Sequence, residues 1–202
     1  MKVFELPEGY TEIKCINLKK NVKIAIILNI ASLIIAAILV PIGLLVTPIS
    51  LDIIFYNDII TENLFTSIFS SLFPLLILLL GMILYLIGHE LIHGLFFKIY
   101  SGKKAKYGIS WLYAYAKSDA YYNKREYAII GLSPVVIFGL LFLLLNIFLP
   151  LQWFWFVYFL QMINLGGAIG DYYVMYIITK SPADILIYDM GYAMTFYSRK
   201  NY

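Results

Sequence analysis

The sequence predicts an all-α membrane protein: four transmembrane helices with a short strand or hairpin segment at the cytoplasmic membrane face. Three observations carry this expectation. Hydrophobic residues make up 62% of the 202 residues and charged residues 13%, with a mean hydropathy of +0.83; a soluble core does not need that much apolar surface. Four apolar stretches, at residues 24–46, 67–97, 127–149 and 154–178, each reach the roughly 20 residues that cross a hydrocarbon core. All fifteen Lys and Arg fall in three segments, before residue 24, at 98–125 and from 180 onward.

The first span follows Lys14, Lys19, Lys20 and Lys23. Its apolar run is long for a signal peptide and no small-residue cleavage site follows, so it reads as an uncleaved anchor. Residues 47–66 hold no Lys or Arg but carry Asp52, Asp58 and Glu62, an outer loop with an interfacial turn at Pro48. The second span ends in the basic segment 98–125. There residues 104–117 partly alternate and are rich in Tyr and Trp, which suits one or two strands bent at Gly102 and Gly108. The third span has Leu132-Ser133-Pro134 near its start, where Pro opens or kinks a helix. An uncharged turn, residues 150–153, leads into the fourth span. Residues 181–202 read as a cap over the inner face. The positive-inside rule puts both termini and residues 98–125 in the cytoplasm. Trp111, Tyr121, Tyr122, Trp153, Trp155, Tyr172 and Tyr173 cluster near span ends, as an interfacial belt would. The chain reads as one domain, residues 1–202, multi-pass in the cell membrane. A net charge of +3 is no nucleic-acid footprint, and the single Cys15 excludes an internal disulfide.

Only two histidines occur, and both lie in His89-Glu90-Leu91-Ile92-His93. Residues four apart share a helix face, so His89 and His93 can aim both imidazoles at one metal ion. Glu90, about 100° around the same turn, can reach water beside that ion without ligating it. This is the pattern of a zinc hydrolase, with two ligands and one general base. Three ionisable groups at bilayer depth cost a few kcal/mol each, roughly, without a partner or a function.

A catalytic zinc usually takes three protein ligands. No third histidine exists, and the position six after His93 is Ile99, so a carboxylate or Cys15 must serve. Asp171 is the one carboxylate in the spans besides Glu90. At 1.5 Å per residue, His93 lies about 8 Å inward of Lys98 and Asp171 about 13 Å inward of Lys180, levels that agree within about one turn. Gly166, Gly167 and Gly170 just before it let the helix unwind or a neighbour approach. Asp119 and Glu126 are the other carboxylates to consider. Asn164 faces the same bundle, either as a donor to developing charge or as a bridge between helices.

The runs Gly88-His89-Glu90-Leu91-Ile92-His93-Gly94, then Tyr113-Ala114-Tyr115-Ala116, then Gly131-Leu132-Ser133-Pro134, then Asn164 to Asp171 make the chain similar to a known group. Over about residues 85–192 it resembles a family of small membrane zincin peptidases and, more widely, the site-2 protease class of intramembrane zinc metalloproteases. That resemblance implies His89, His93 and Asp171 as zinc ligands and Glu90 as the base. One departure is that Gly170-Asp171-Tyr172 stands where site-2 proteases usually carry an Asp-Gly pair, and no PDZ-like module is inserted between the spans.

The expected activity is therefore peptide-bond hydrolysis by zinc-activated water, with Glu90 as general base. The partners would be a membrane-protein or peptide substrate and the bilayer. An extended substrate would pair with the strand in residues 104–117. The competing readings are a non-proteolytic scaffold or immunity-type binding protein with a structural metal, and a cation or proton relay through His89, Glu90 and Asp171.

Overall fold

The computed structural model describes residues 3–17, 20–49, 64–109 and 114–199, the side chains of 64–71 excepted. Most of the outer loop and Trp111 lie outside the described residues. Helix α1 (Val22–Val46) is followed by α2 (Leu64–Ser101), α3 (Lys124–Phe148), α4 (Phe154–Gly167) and α5 (Ile169–Lys180). Among the described residues, four helical stretches are long and apolar enough to cross a membrane, α4 and α5 together making the fourth. Their outward faces carry the apolar side chains that lipid would cover, such as Leu33, Leu84 and Leu144, each at least half exposed. Apolar faces this continuous are larger than soluble monomers leave in water.

Small residues let these helices approach closely. On α1, a Cβ at Gly43 would lie 2.6 Å from the Tyr158 ring of α4. Tyr158 Oη and Trp155 Nε1 also donate to the carbonyls of Leu39 and Ile49, which fastens α4 to α1. Between α2, α3 and α4, Tyr85, Phe142 and Val157 form a second apolar core, with the Tyr85 and Phe138 rings meeting edge to face.

The strands gather at the end of the bundle where α2 stops and α3 starts. β2 (Lys106–Ile109) and β3 (Ala114–Lys117) form the expected antiparallel pair. A second, four-stranded sheet of order β1-β6-β5-β4 is built from β1 (Thr11–Ile16), β6 (Met194–Ser198), β5 (Leu186–Asp189) and β4 (Tyr121–Asn123). So the cap read in residues 181–202 contains two paired strands, β5 and β6, and β1 joins them from before the first helix. Phe97, Tyr122, Ile130, Ile187 and Phe196 form the core beneath this sheet. Two residues of the expected aromatic belt, Tyr122 and Trp155, are instead buried inside the protein.

The two other carboxylates considered as ligands, Glu126 and Asp119, turn out to be local fasteners. Asn123 caps α3 in a reciprocal box with Glu126, two orphan backbone donors satisfied at once. Asp119 pairs with Lys106 at 2.5 Å on the exposed β2–β3 unit. Neither carboxylate reaches the histidines.

Candidate metal centre

Helix α2 places Tyr85, His89 and His93 on one stripe, each four residues from the next. The fourth residue of interest, Asp171, arrives from the far end of the chain because the last span is broken. At Ala168 the backbone leaves the helical region (φ −77°, ψ 13°), and α5 restarts at Ile169. Gly166 and Gly167 lower the cost of leaving the helix there. Gly166 also lies against Ser32 of α1, where a Cβ would sit 3.3 Å from its carbonyl oxygen. Asp171 thereby falls in the first turn of α5, where the helix dipole favours a carboxylate.

The three side chains converge. His89 Nε2 lies 3.1 Å from His93 Nε2. Asp171 Oδ2 lies 3.3 Å from His89 Nε2, and its Oδ1 3.6 Å from His93 Nε2. Among the described residues this is the group of donors placed to hold a metal ion.

The protons on the imidazoles follow from what surrounds them. His93 Nδ1 is 2.9 Å from the Ile130 carbonyl, which only accepts, so Nδ1 carries the hydrogen. That carbonyl is free because Pro134, four residues on, has no N–H to offer it. Ser133 Oγ donates to the same oxygen. Pro134 therefore sits inside α3 rather than at its start, and it presents an acceptor to the site. On the other histidine, the buried Asn164 donates from Nδ2 to the Val135 carbonyl at 3.0 Å. Its Oδ1 then accepts from Tyr85 Oη at 3.2 Å. The Tyr85 oxygen is left to accept from His89 Nδ1 at 3.1 Å. Both Nδ1 atoms are donors, so both Nε2 atoms present lone pairs.

Two facing lone pairs 3.1 Å apart beside a carboxylate repel unless a cation or proton lies among them. Zinc fits this set. Bonds of 2.0–2.1 Å in a tetrahedron give donor–donor edges of about 3.3–3.4 Å, close to the 3.1 Å between the imidazoles and the 3.3 Å from His89 Nε2 to Asp171 Oδ2. Two imidazoles and one carboxylate leave the fourth position open, as in a catalytic rather than a structural site.

Glu90 lies beside this cluster. Its Oε2 accepts the backbone N–H of Ala116 in β3 at 2.7 Å, and Oε1 has no partner among the described residues. A cavity of about 460 Å³ opens over the group, lined by Glu90, both histidines, Asp171, β3 and the β5–β6 turn, with Ala25, Leu28 and Asn29 of α1 on another side. The β5–β6 turn is fixed by Asp189, whose buried carboxylate accepts from Tyr127 Oη and from Gly191 N–H. Gly191, at φ +79°, carries the Tyr115 ring of β3 against it. Burial pushes the Asp189 carboxyl up to about 6, against the lowering pull of those two hydrogen bonds.

A model of the family described as "Putative zincin peptidase" matches residues 81–186, more than half of the chain. The chain belongs to this family. The matched zincin-peptidase segment contains Tyr85, all three converging donors, Glu90, Pro134 and Asn164, whereas α1, β1 and β6 lie outside it. Membership points to a zinc-dependent peptidase. No curated protein and no solved structure matches the chain.

Sequence reasoning brought His89, His93, Asp171 and Glu90 forward, and the fold brings all four together. Cys15 is exposed on β1, away from the cluster. Tyr85, Tyr127 and Asp189 were not singled out. The signal for Tyr85 was present, since it stands four residues before His89 on the same stripe. Asp189 carried none, because only the sheet pairing brings it to the cavity.

Proposed function

We propose that the protein is an intramembrane zinc metalloprotease of site-2 protease type, with His89, His93 and Asp171 as ligands and Glu90 as general base. The observation that carries this reading is the pair of bare Nε2 atoms, 3.1 Å apart and 3.3 and 3.6 Å from one carboxylate, each imidazole oriented from behind by a hydrogen bond. When bound, zinc supplies Lewis acidity, which polarises a carbonyl and brings water toward a pKa of about 7.

The chain's own residues do the rest. Glu90 is held through Oε2 by Ala116, so Oε1 takes the proton of the attacking water and returns it to the leaving amine. Its anchor is the strand that would bind substrate, so proton transfer and substrate alignment share one rigid element. Because the Ala116 N–H points away from β2, the carbonyl of Ala116 and both backbone groups of Ala114 face the same, cavity-side edge. An extended substrate segment adds there as a strand. A transmembrane substrate helix must unwind to present such a segment, since its peptide groups are otherwise bonded within the helix. In the cell membrane, with both termini cytoplasmic, the cavity would face the inner leaflet.

The test is metal content and cleavage by the purified protein, wild type beside His93→Ala, Asp171→Ala and Glu90→Gln. One zinc per chain is expected, lost in the first variant, weakened in the second and retained in Glu90→Gln. Cleavage of a reconstituted transmembrane peptide should fall about 10²–10⁴-fold in Glu90→Gln. Zinc binding indifferent to Asp171, or full cleavage with Glu90→Gln, would overturn the assignment.

A further inference from the structure

A second cavity, about 520 Å³, lies between β1 and the end of α5, lined by Ile13, Lys14, Tyr176, Ile177, Lys180, Ser181 and Pro182. Neither Lys14 nor Lys180 has a carboxylate partner among the described residues. A helix C-terminus ordinarily repels an anion. Here Lys124 Nζ donates to the Thr179 and Ser181 carbonyls, at 3.4 and 3.0 Å, and offsets that field. The other side of the cavity is apolar, and Tyr176, 61% exposed, stands on the last helical turns before the sheet. Two free ammonium groups over an apolar wall, at the boundary of a membrane-length helix, match a phospholipid: phosphate against the lysines, glycerol and first methylenes against Tyr176 and Ile177.

We infer that the cavity between Lys14 and Lys180 binds the headgroup of one anionic phospholipid from the surrounding membrane. The bound lipid would tie β1 to α5. That helix carries Asp171 in its first turn and ends with Lys180, so lipid composition would act on the helix that carries the candidate ligand.

The experiment uses the full chain in nanodiscs of phosphatidylcholine with or without phosphatidylglycerol, with retained lipid counted by native mass spectrometry. Wild type should keep one phosphatidylglycerol. Lys14→Ala/Lys180→Ala should bind it at least about tenfold more weakly, and Lys14→Arg/Lys180→Arg should keep it. Lys98→Ala/Lys104→Ala removes the same charge outside the cavity and should match wild type. Circular dichroism on each variant shows that the fold persists. Equal loss in both alanine pairs, or no loss in either, would overturn the site in favour of diffuse attraction. Displacement of the lipid by millimolar inorganic phosphate would overturn the lipid as its occupant.

Discussion

Replacing Tyr85 by Phe removes one oxygen and leaves the ring. The Phe138 and Phe142 rings, 5.0 and 6.0 Å from that of Tyr85, keep their packing. What disappears is the hinge of the chain His89–Tyr85–Asn164–Val135, that is the acceptor at 3.1 Å for His89 Nδ1 and the donor at 3.2 Å to Asn164 Oδ1. The Asn164 bond does not involve a metal ligand, so its loss lowers stability, by about 1–3 kcal/mol for a buried acceptor left unpaired. The His89 bond matters differently. It holds the tautomer whose Nε2 can ligate, and it strengthens when that nitrogen donates its lone pair to a cation. A charge-assisted bond is worth about 1.5–3 kcal/mol, and loss of such outer partners typically weakens metal binding about 10–100-fold. Tyr85→Phe should therefore lose about 10–100-fold in zinc affinity, measured by competition with a chelator of known affinity. Asn164→Ala should lose less, and the double variant no more than Tyr85→Phe alone, because both act through one chain. Zinc affinity within twofold of wild type in Tyr85→Phe, at unchanged fold, would refute the argument that this chain orients His89.

Pro134→Ala restores an N–H that competes with His93 for the Ile130 carbonyl, already shared with Ser133. Zinc affinity should fall about tenfold, while thermal stability holds or rises, since a helical hydrogen bond is regained; chelator competition and a melting curve separate the two. Gly94→Ala puts a Cβ 2.0 Å from the Tyr107 hydroxyl, so that ring swings off α2 and loosens the β2–β3 pair that holds Ala116 against Glu90. Cleavage should fall by more than about tenfold with zinc content intact, as measured by metal analysis beside kcat/KM. Asp189 holds its proton more tightly in the fold, at about 6 against 3.8, so its contribution is full below about pH 4 and fades as pH rises through 6. That is at most about 3 kcal/mol, and the difference in Tm between wild type and Asp189→Asn should change over pH 4–7 and level off above it. A pH-independent difference would remove Asp189 as the cause.

The site was legible because its chemistry is local. His89, Glu90 and His93 declare themselves within one and a half turns, and few carboxylates stand at membrane depth, which left Asp171. The β2–β3 pair showed through alternation and aromatic content. The four-stranded sheet did not, because β5 and β6 are four and five residues long and β1 meets β6 across more than 170 positions. Short strands carry little periodic signal, and nothing in one segment announces a partner that distant. Asn164 was visible as a polar residue in an apolar span. Its role was not, because it reaches the site through Tyr85.

The pairing of β1 with β6 sets an order of events during synthesis. Strand β1 leaves the ribosome early, yet its partner is made only after the last helix, about 10–40 s later at 5–20 residues per second. Until then the cavity wall at Asp189–Met194 does not exist, although both histidines and Asp171 have already been made. The candidate site is therefore complete only once the last strands have paired with the first, after all four apolar helices have been made.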